Sequence, residues 1–270
     1  MDTQEKSQPL ETVARKSNRS TRSLALGRVS RMDGKADITS LERALRPLPP
    51  DSALSCSDQV LEVLREAIIR ARIAPGTPLS EVAISNVLKV SRTPVREALR
   101  RLAVEDLVRV YPQAATVVSP LNTSFLNQGC FIRRALECAN IASLANEIST
   151  RDLRTLSEII EAQGRAITQG TNDFFHLDEL MHETLFEIAD RQLAWQHIQQ
   201  VKQHFDRVRW LVNLDPKHAE RAYQEHLAMF ERLKAGDKTG ASTVMYDHIS
   251  AITQDLAQLH ETMPGVFLET

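Results

Sequence analysis

The chain has 270 residues, is 42% hydrophobic, and sets 33 Lys/Arg against 35 Asp/Glu for a formal charge of −2. That suits two modest domains with separate cores, and no apolar run approaches the ~18 residues that span a bilayer. The small total hides an asymmetry: residues 1–50 hold ten Lys/Arg to six Asp/Glu, residues 56–120 nine to seven, and residues 121–270 fourteen to twenty-one. Any polyanion partner is expected to meet the first half. Cys56, Cys130 and Cys138 form no CxxC pair and are odd in number, which fits a reducing, cytoplasmic setting.

Residues 1–55 lack sustained apolar periodicity and end in Arg46-Pro47-Leu48-Pro49-Pro50, the composition of a disordered basic extension with a Pro-rich linker. Only a transient helix is expected there, around Ile38–Leu45. Asp2, Glu5 and Glu11 argue against an organelle transit peptide. The first folded element is expected over Ser57–Arg72, with Val60, Leu61, Leu64, Ile68 and Ala71 inward. After Pro75-Gly76 a shorter helix starts near Ser80, with Val82, Ala83, Val87 and Leu88 inward.

A third helix follows after a three-residue turn, which is helix-turn-helix spacing. Its Val95, Ala98, Leu99 and Leu102 make an apolar stripe, while Arg92, Arg96 and Arg100 recur every four residues on another side. Ser91 or Thr93 can cap it, and Pro94 falls in its first turn. Taken alone, such a helix suits either a solvated surface or a DNA major groove. The β-prone runs Leu107–Tyr111 and Thr116–Val118, around Pro112-Gln113-Ala114-Ala115, add a hairpin. Three helices and a hairpin in residues 56–120 make a winged helix-turn-helix, which favours DNA.

These residues resemble the DNA-binding domain of GntR-type bacterial transcription regulators. The likeness rests on Ala67-Ile68-Ile69, Ile73-Ala74-Pro75-Gly76, Leu79-Ser80-Glu81 and the run Val90-Ser91-Arg92-Thr93-Pro94-Val95-Arg96-Glu97-Ala98-Leu99-Arg100-Arg101-Leu102. The resemblance implies that Arg92, Thr93 and Arg96, beside Ser91, contact bases or phosphates of a palindromic operator. An arginine fork can grip guanine O6 and N7 together. Arg100 and Arg101 are better placed for phosphates. The chain also departs from the family pattern: Ala71, Lys89, Asp106 and Ala115 stand where glycine is usual. An Arg-Gly pair at the wing tip is here Ala114-Ala115, so the wing is expected to touch the minor groove less.

Residues 121–270 read as an all-α antiparallel helical bundle of six segments, at 123–148, 151–168, 172–189, 192–212, 216–235 and 238–261. Asp152, Asp173 and Pro216 sit near starts, and Gly170 and Gly236 at stops. Asp178 and His182 are four apart on the third segment, His226 lies on the fifth and His248 on the sixth. Three bundle helices can converge such groups, and one carboxylate with three imidazoles suits a divalent metal. Spacing alone is weak evidence, since eight histidines in a helical chain supply such neighbours by chance and most would be surface or core residues.

Leu177-Asp178-Glu179-Leu180-Met181-His182, His226-Leu227 and His248-Ile249 resemble the metal-binding pattern of the FCD ligand-sensing domain, which follows the winged helix in the FadR branch of that family. The resemblance implies a metal on Asp178, His182, His226 and His248, with zinc the first choice and nickel, manganese or iron the alternatives. Six helices would place the domain in the shorter, VanR-like group. Arg133-Arg134-Ala135-Leu136-Glu137 matches the family's first bundle helix, where the residue matching Arg133 meets an acidic effector; the alternative is an i, i+4 ion pair with Glu137 on the surface. The family's Gly-Asn after the third helix is here Asp190-Arg191. His176, His197, His204, His218 and His260 are read as surface or packing residues, and Trp195 and Trp210 as core or dimer contacts.

The expected function is a homodimeric, cytoplasmic transcription regulator, a repressor, that binds double-stranded operator DNA and senses a small carboxylate through a metal-bearing bundle, with no catalytic residues. The alternative is a metal-dependent hydrolase or lyase fused to a DNA-binding domain. Against it, His182-Glu183 does not open a HExxH motif, because position 186 is Phe.

Overall fold

The computed structural model describes residues 38–171, 173–212 and 217–268. The chain divides into two compact units, one made of the residues up to Leu64 with Gly76–Ser119, the other of Arg65–Pro75 with the chain from Pro120 onward. Among the described residues no helix is long and apolar enough to cross a membrane.

The first unit opens with a formed helix where only a transient one was expected. Helix α1 (Ile38–Ala44) packs against α3 (Glu81–Leu88) and buries Leu41, Ala44 and Leu45. These fall at i, i+3 and i+4, too short a run to imply more than a transient helix from sequence alone. A seven-residue helix is marginal alone and is held by tertiary packing. Residues 1–37 of the expected disordered basic extension lie outside the described residues.

Helix α2 (Cys56–Ile69) buries Val60, Leu61 and Leu64 as read, but stops before Ala71. Ser80 caps α3, its Oγ accepting from the Ala83 N–H at 3.3 Å. Helix α3 buries Ala83, Ile84, Ser85 and Leu88 and leaves Val82 49% exposed, so Val82 is on the outer face and not the inner one. Helix α4 (Arg92–Val104) buries the expected Val95, Ala98, Leu99 and Leu102. Strands β1 (Pro78–Leu79), β2 (Val108–Tyr111) and β3 (Ala115–Val118) form an antiparallel sheet in the order β1-β3-β2. Its register sets Tyr111 opposite Ala115 and Pro78 opposite Val117.

The second unit is a bundle. Its helices are α5 (Thr123–Leu144), α6 (Thr150–Gln169), α7 (Phe174–Ile188), α8 (Gln192–Val212), α9 (Lys217–Lys234), α10 (Lys238–Ser250) and α11 (Ile252–Thr262). Leu126, Ile141, Met181, Phe205, Met229 and Met245 lie in its core. Starts are capped by Asn122, Ser149 and Asp237. Gly129 allows close packing, because a Cβ there would stand 2.7 Å from the Phe205 ring. Pro216, expected at a start, lies outside the described residues.

The last expected segment is two helices, so the described bundle has seven, not six. The break at Ala251 follows from divided loyalties: α10 packs on α5 and α9, whereas α11 packs on α8. The turn loosens there, with the Gln254 N–H reaching Ala251 O in a three-residue step.

Among the described residues, five that are not glycine carry positive φ: Ala71 (53°), Lys89 (56°), Asp106 (52°), Gln113 (60°) and Asp190 (54°). Lys89, Asp106 and Asp190 end helices in the same way. Each donates its N–H three residues back, while the next N–H (Val90, Leu107, Arg191) reaches five residues back. The wing differs from expectation. Ala115 belongs to β3, and the left-handed residue is Gln113, which follows Pro112 in a turn closed by Ala114 N–H to Tyr111 O at 3.0 Å. That pattern asks for glycine at the residue after proline. A Cβ in this region costs on the order of 1 kcal/mol. We therefore expect Lys89→Gly and Gln113→Gly each to stabilise the winged unit by about 0.5–1 kcal/mol, a rise of several degrees in its thermal midpoint by circular dichroism. An unchanged or lower midpoint would contradict the strain.

Candidate functional site

Asp178 and His182 stand one turn apart on α7, and the bundle brings His226 of α9 and His248 of α10 to them. One ligand atom from each lies within 4.8 Å of all the others. Asp178, His182 and His226 are fully buried and His248 nearly so on its side chain. His182 Nε2 is 3.2 Å from His248 Nε2, and His226 Nε2 is 3.5 Å from Asp178 Oδ1.

Each imidazole is held from behind. His182 Nδ1 lies 2.6 Å from Glu137 Oε2, His226 Nδ1 2.9 Å from Gln163 Oε1, and His248 Nδ1 2.7 Å from Glu225 Oε2. Hydrogen-bond acceptors behind the Nδ1 atoms of His226 and His248, and the Glu137 carboxylate beside that of His182, favour protons there and turn the Nε2 lone pairs inward. His226 Nε2 is buried with no hydrogen-bond partner among the described residues. Lone pairs converging at such distances repel one another unless a cation lies among them. The donor set and the orphaned nitrogen therefore fit a divalent metal.

The charges follow from burial. Burial alone would raise the pKa of Asp178, but the Arg209 guanidinium, donating to both carboxylate oxygens at 2.7 and 2.8 Å, holds it well below the usual range. Glu137 is likewise kept ionised despite burial, first by Arg133, which donates from Nε at 2.6 Å, then by His182. Burial pushes His226 well below its ordinary value, helped by the neighbouring His248, and lowers His248 against the pull of Glu225.

Beside the cluster lies a cavity of about 60 Å³, lined by Arg133, Arg209, Arg221, His218, His248 and Asp255 among others. Arg133 does face it, and its ion pair with Glu137 is made too, but buried and not on the surface. His218, read as a surface or packing residue, instead lines the cavity and pairs with Asp255 at 3.1 Å. Over the cavity wall Arg209 stacks on Phe175 at 5.3 Å, and Phe175 in turn packs on Trp210 with ring centroids 4.9 Å apart. Trp195 is buried beside Phe186 and donates from Nε1 to Glu183 at 3.0 Å.

In the winged unit, Ser91, Arg92, Thr93, Arg96 and Arg100 are all exposed at the start of α4 and along it. Ser91 occupies the N-cap position without a side-chain capping bond. Two of the arginines converge on Glu81 of α3: Arg96 Nε and Nη2 donate to its two oxygens at 3.1 and 2.9 Å, and Arg92 Nη2 donates at 3.4 Å. Arg96 holds the Glu81 carboxyl below its ordinary pKa. Glu81 takes the Nε–Nη2 edge of Arg96 and leaves Nη1 unused in that pair. Arg101 pairs with Asp58 at 2.5 Å.

Glu81, Gln163, Arg209 and Glu225 were not singled out from sequence. Gln163 had a signal, an amide at helical spacing from the apolar Leu156, Ile159 and Ile160, and the structure buries it fully. Arg209, 31 residues from Asp178, had none.

Comparison with known proteins follows the same division. Residues 56–118 match the profile of the bacterial regulatory proteins of the gntR family, and residues 130–251 that of the FCD domain. The HTH-type transcriptional repressor RspR of Escherichia coli K12 is 34% identical over 231 residues, 85% of this chain and 99% of its own. The gluconate operon transcriptional repressor of Bacillus subtilis is 29% identical, covering 69% of this chain and 79% of its own. Among solved structures, E. coli McbR/YncC aligns over 77% of this chain and 99% of its own with a TM-score of 0.63 at 23% identity, a likeness of fold.

The buried histidines make acid a stress on the metal-free protein. The native state keeps His226 and His248 neutral, whereas the unfolded chain takes up protons near the ordinary value of 6.5. The unfolded state then binds more protons as pH falls below that value, so stability declines. Urea midpoints of chelator-treated protein are expected to be lower at about pH 5.5 than at about pH 7.5. Equal midpoints would mean these imidazoles titrate as if exposed.

Proposed function

The chain belongs to the GntR family of bacterial transcription regulators, its winged helix-turn-helix joined to an FCD domain, and from that premise we propose how its residues read DNA and sense a ligand. It is a DNA-binding regulator and not an enzyme, as its relatives are. The metal-dependent hydrolase or lyase is accordingly set aside.

Residues 56–120 serve as the DNA-binding domain, and 121–270 as the sensing and dimerising domain. In a homodimer two α4 helices enter successive major grooves of a palindromic operator about one turn apart. Arg92, Thr93 and Arg96 contact bases, and Ser91 and Arg100 contact phosphates. The observation that carries this reading is the carboxylate of Glu81 holding the Arg96 fork, end outward, on an exposed helix face. A bidentate arginine oriented in advance loses less freedom on meeting guanine.

Asp178, His182, His226 and His248 hold a divalent metal, zinc in the first instance. When bound, it offers Lewis-acidic positions to a ligand oxygen. Glu137, Gln163 and Glu225 orient the imidazoles, and Arg209 keeps Asp178 ionised. Arg133, with Arg209 and Arg221, supplies positive charge to a small carboxylate effector in the cavity. The effector must bind the DNA-competent and incompetent arrangements with different affinity, or nothing switches. Repression is the proposed outcome, by analogy with the relatives named as repressors.

The test is binding to DNA from upstream of the protein's own gene, against random competitor, at several salt concentrations and with a panel of small acids. Gluconate belongs in the panel because one relative represses a gluconate operon. Arg92→Ala with Arg96→Ala is expected to abolish competitor-resistant binding with an unchanged circular dichroism spectrum, and Glu81→Ala to weaken it by about tenfold. Undiminished affinity in the double variant would overturn the reading.

The metal is tested separately. Purified protein is expected to carry about one divalent ion per chain by elemental analysis, and His226→Ala to lose it, since three ligands with a broken outer partner bind far more weakly. Equal metal content in both would place the ion elsewhere.

A further inference from the structure

Helix α11 begins at the cavity and ends against the segment that links β3 to α5. At its start Ile252 and Asp255 line the cavity, and Asp255 takes ion pairs from His218 at 3.1 Å and Arg221 at 3.7 Å, both on α9. At its far end the chain turns through a 3₁₀ turn, Pro264–Val266, and runs beside Leu121. The Leu121 N–H donates to Val266 O at 2.8 Å, and the Leu268 N–H donates to Leu121 O at 2.9 Å. Phe267 stacks on His260 of α11 with centroids 3.7 Å apart, and His260 Nε2 lies 3.3 Å from Thr123 Oγ1. Leu121 and Phe267 are buried.

The linking segment is short, and each of its residues is already committed. The Ser119 N–H is spent on Leu107 O of the winged unit, and the Asn122 side chain caps α5. Between Ser119 and Leu121 stands only Pro120, with φ fixed and no N–H to give. Both backbone groups of Leu121 are taken by the C-terminal residues. A hinge that turns at Leu121 itself has to break its bonds to Val266 and Leu268.

We propose that residues 264–268 are a strap on this link, and that α11 passes changes in the cavity through it to the winged unit. The proposal rests on the regulator reading above and names its route of regulation. A ligand that competes for His218 or Arg221 alters the grip on Asp255, moves α11 along α8, and shifts the strap that fixes Leu121. Val266 and Leu268 are then positioning residues for the recognition helix.

The test uses the full chain, Leu268→Pro, and a chain ending at Thr262, each with and without Asp255→Asn. Proline at 268 removes one strap donor at little steric cost, because Phe267 is already extended (φ −92°, ψ 154°) as a residue before proline must be. Amide exchange at Leu121, which needs neither ligand nor DNA, is expected to quicken by at least about tenfold in Leu268→Pro, while the thermal midpoint of the bundle holds. Asp255→Asn is expected to change that exchange by about fivefold or more in the full chain and not in the shortened one. Affinity for a palindrome selected from random DNA by the full chain is expected to fall about tenfold in Leu268→Pro, with affinity for one half-site unchanged.

Unaltered exchange at Leu121 in Leu268→Pro would overturn the strap. An Asp255→Asn effect that is absent from both chains, or equal in both, would overturn its coupling to the cavity. If wild-type protein shows no preference for the half-site, the DNA reading fails instead, and the exchange experiment still decides the strap.

Discussion

Asp178 stays ionised in the core because the half-buried guanidinium of Arg209 is paired with both of its oxygens. A lone carboxylate in that position would protonate, and the three imidazoles around it would lose the anion that makes them a ligand set and not a repulsive cluster. The same constraint runs outward: His182 needs Glu137, and Glu137 needs Arg133. His226 needs Gln163, and His248 needs Glu225. These partners come from α5, α6, α8 and α9, so the polar network crosses the core and fixes how those helices sit. Removing one member of such a buried pair typically costs about 3–5 kcal/mol, because its partner is left uncompensated. The bundle's stability and the geometry of its buried His/Asp cluster therefore rest on the same contacts.

On the winged unit charge works differently, because it is exposed. Glu81 sits between Arg92 and Arg96 in water-accessible surroundings, where an ion pair adds little to stability. Its effect is orientation, holding two flexible side chains near one geometry at the start of a helix whose opposite face is fully buried. Stability on one unit and readiness on the other come from the same kind of contact at different depths.

Much of this was legible in the sequence, for physical reasons. The stripe Val95, Ala98, Leu99, Leu102 is long enough to fix both the helix and its buried face, and the four residues of the buried His/Asp cluster were legible because two of them share a turn and all match a known pattern. What escaped was tertiary. Leu41, Ala44 and Leu45 form a stripe of only three residues, and nothing local says that α3 offers a surface to cover them. The break at Ala251 was invisible because the apolar pattern continues across it while the packing partner changes. Glycine's absence at Lys89 and Asp106 was legible as a departure, and the backbone keeps the left-handed turn regardless. At the wing the expectation moved by two residues, since Pro112 sets the turn and puts the burden on Gln113. Arg209 could not be read at all, because its role depends on a helix far away in sequence.

The stack of Arg209, Phe175 and Trp210 gives the protein an optical output of its own. The indole is one ring removed from the guanidinium that grips Asp178, so any event that draws Arg209 away from that carboxylate alters the field and packing at Trp210. Trp195 lies elsewhere, hydrogen-bonded to Glu183, the residue after His182. With only two tryptophans in the chain, each can be replaced by phenylalanine in turn to separate their emission. Events at the buried centre can thus be followed by intrinsic fluorescence, without a label and before any DNA target or effector is known.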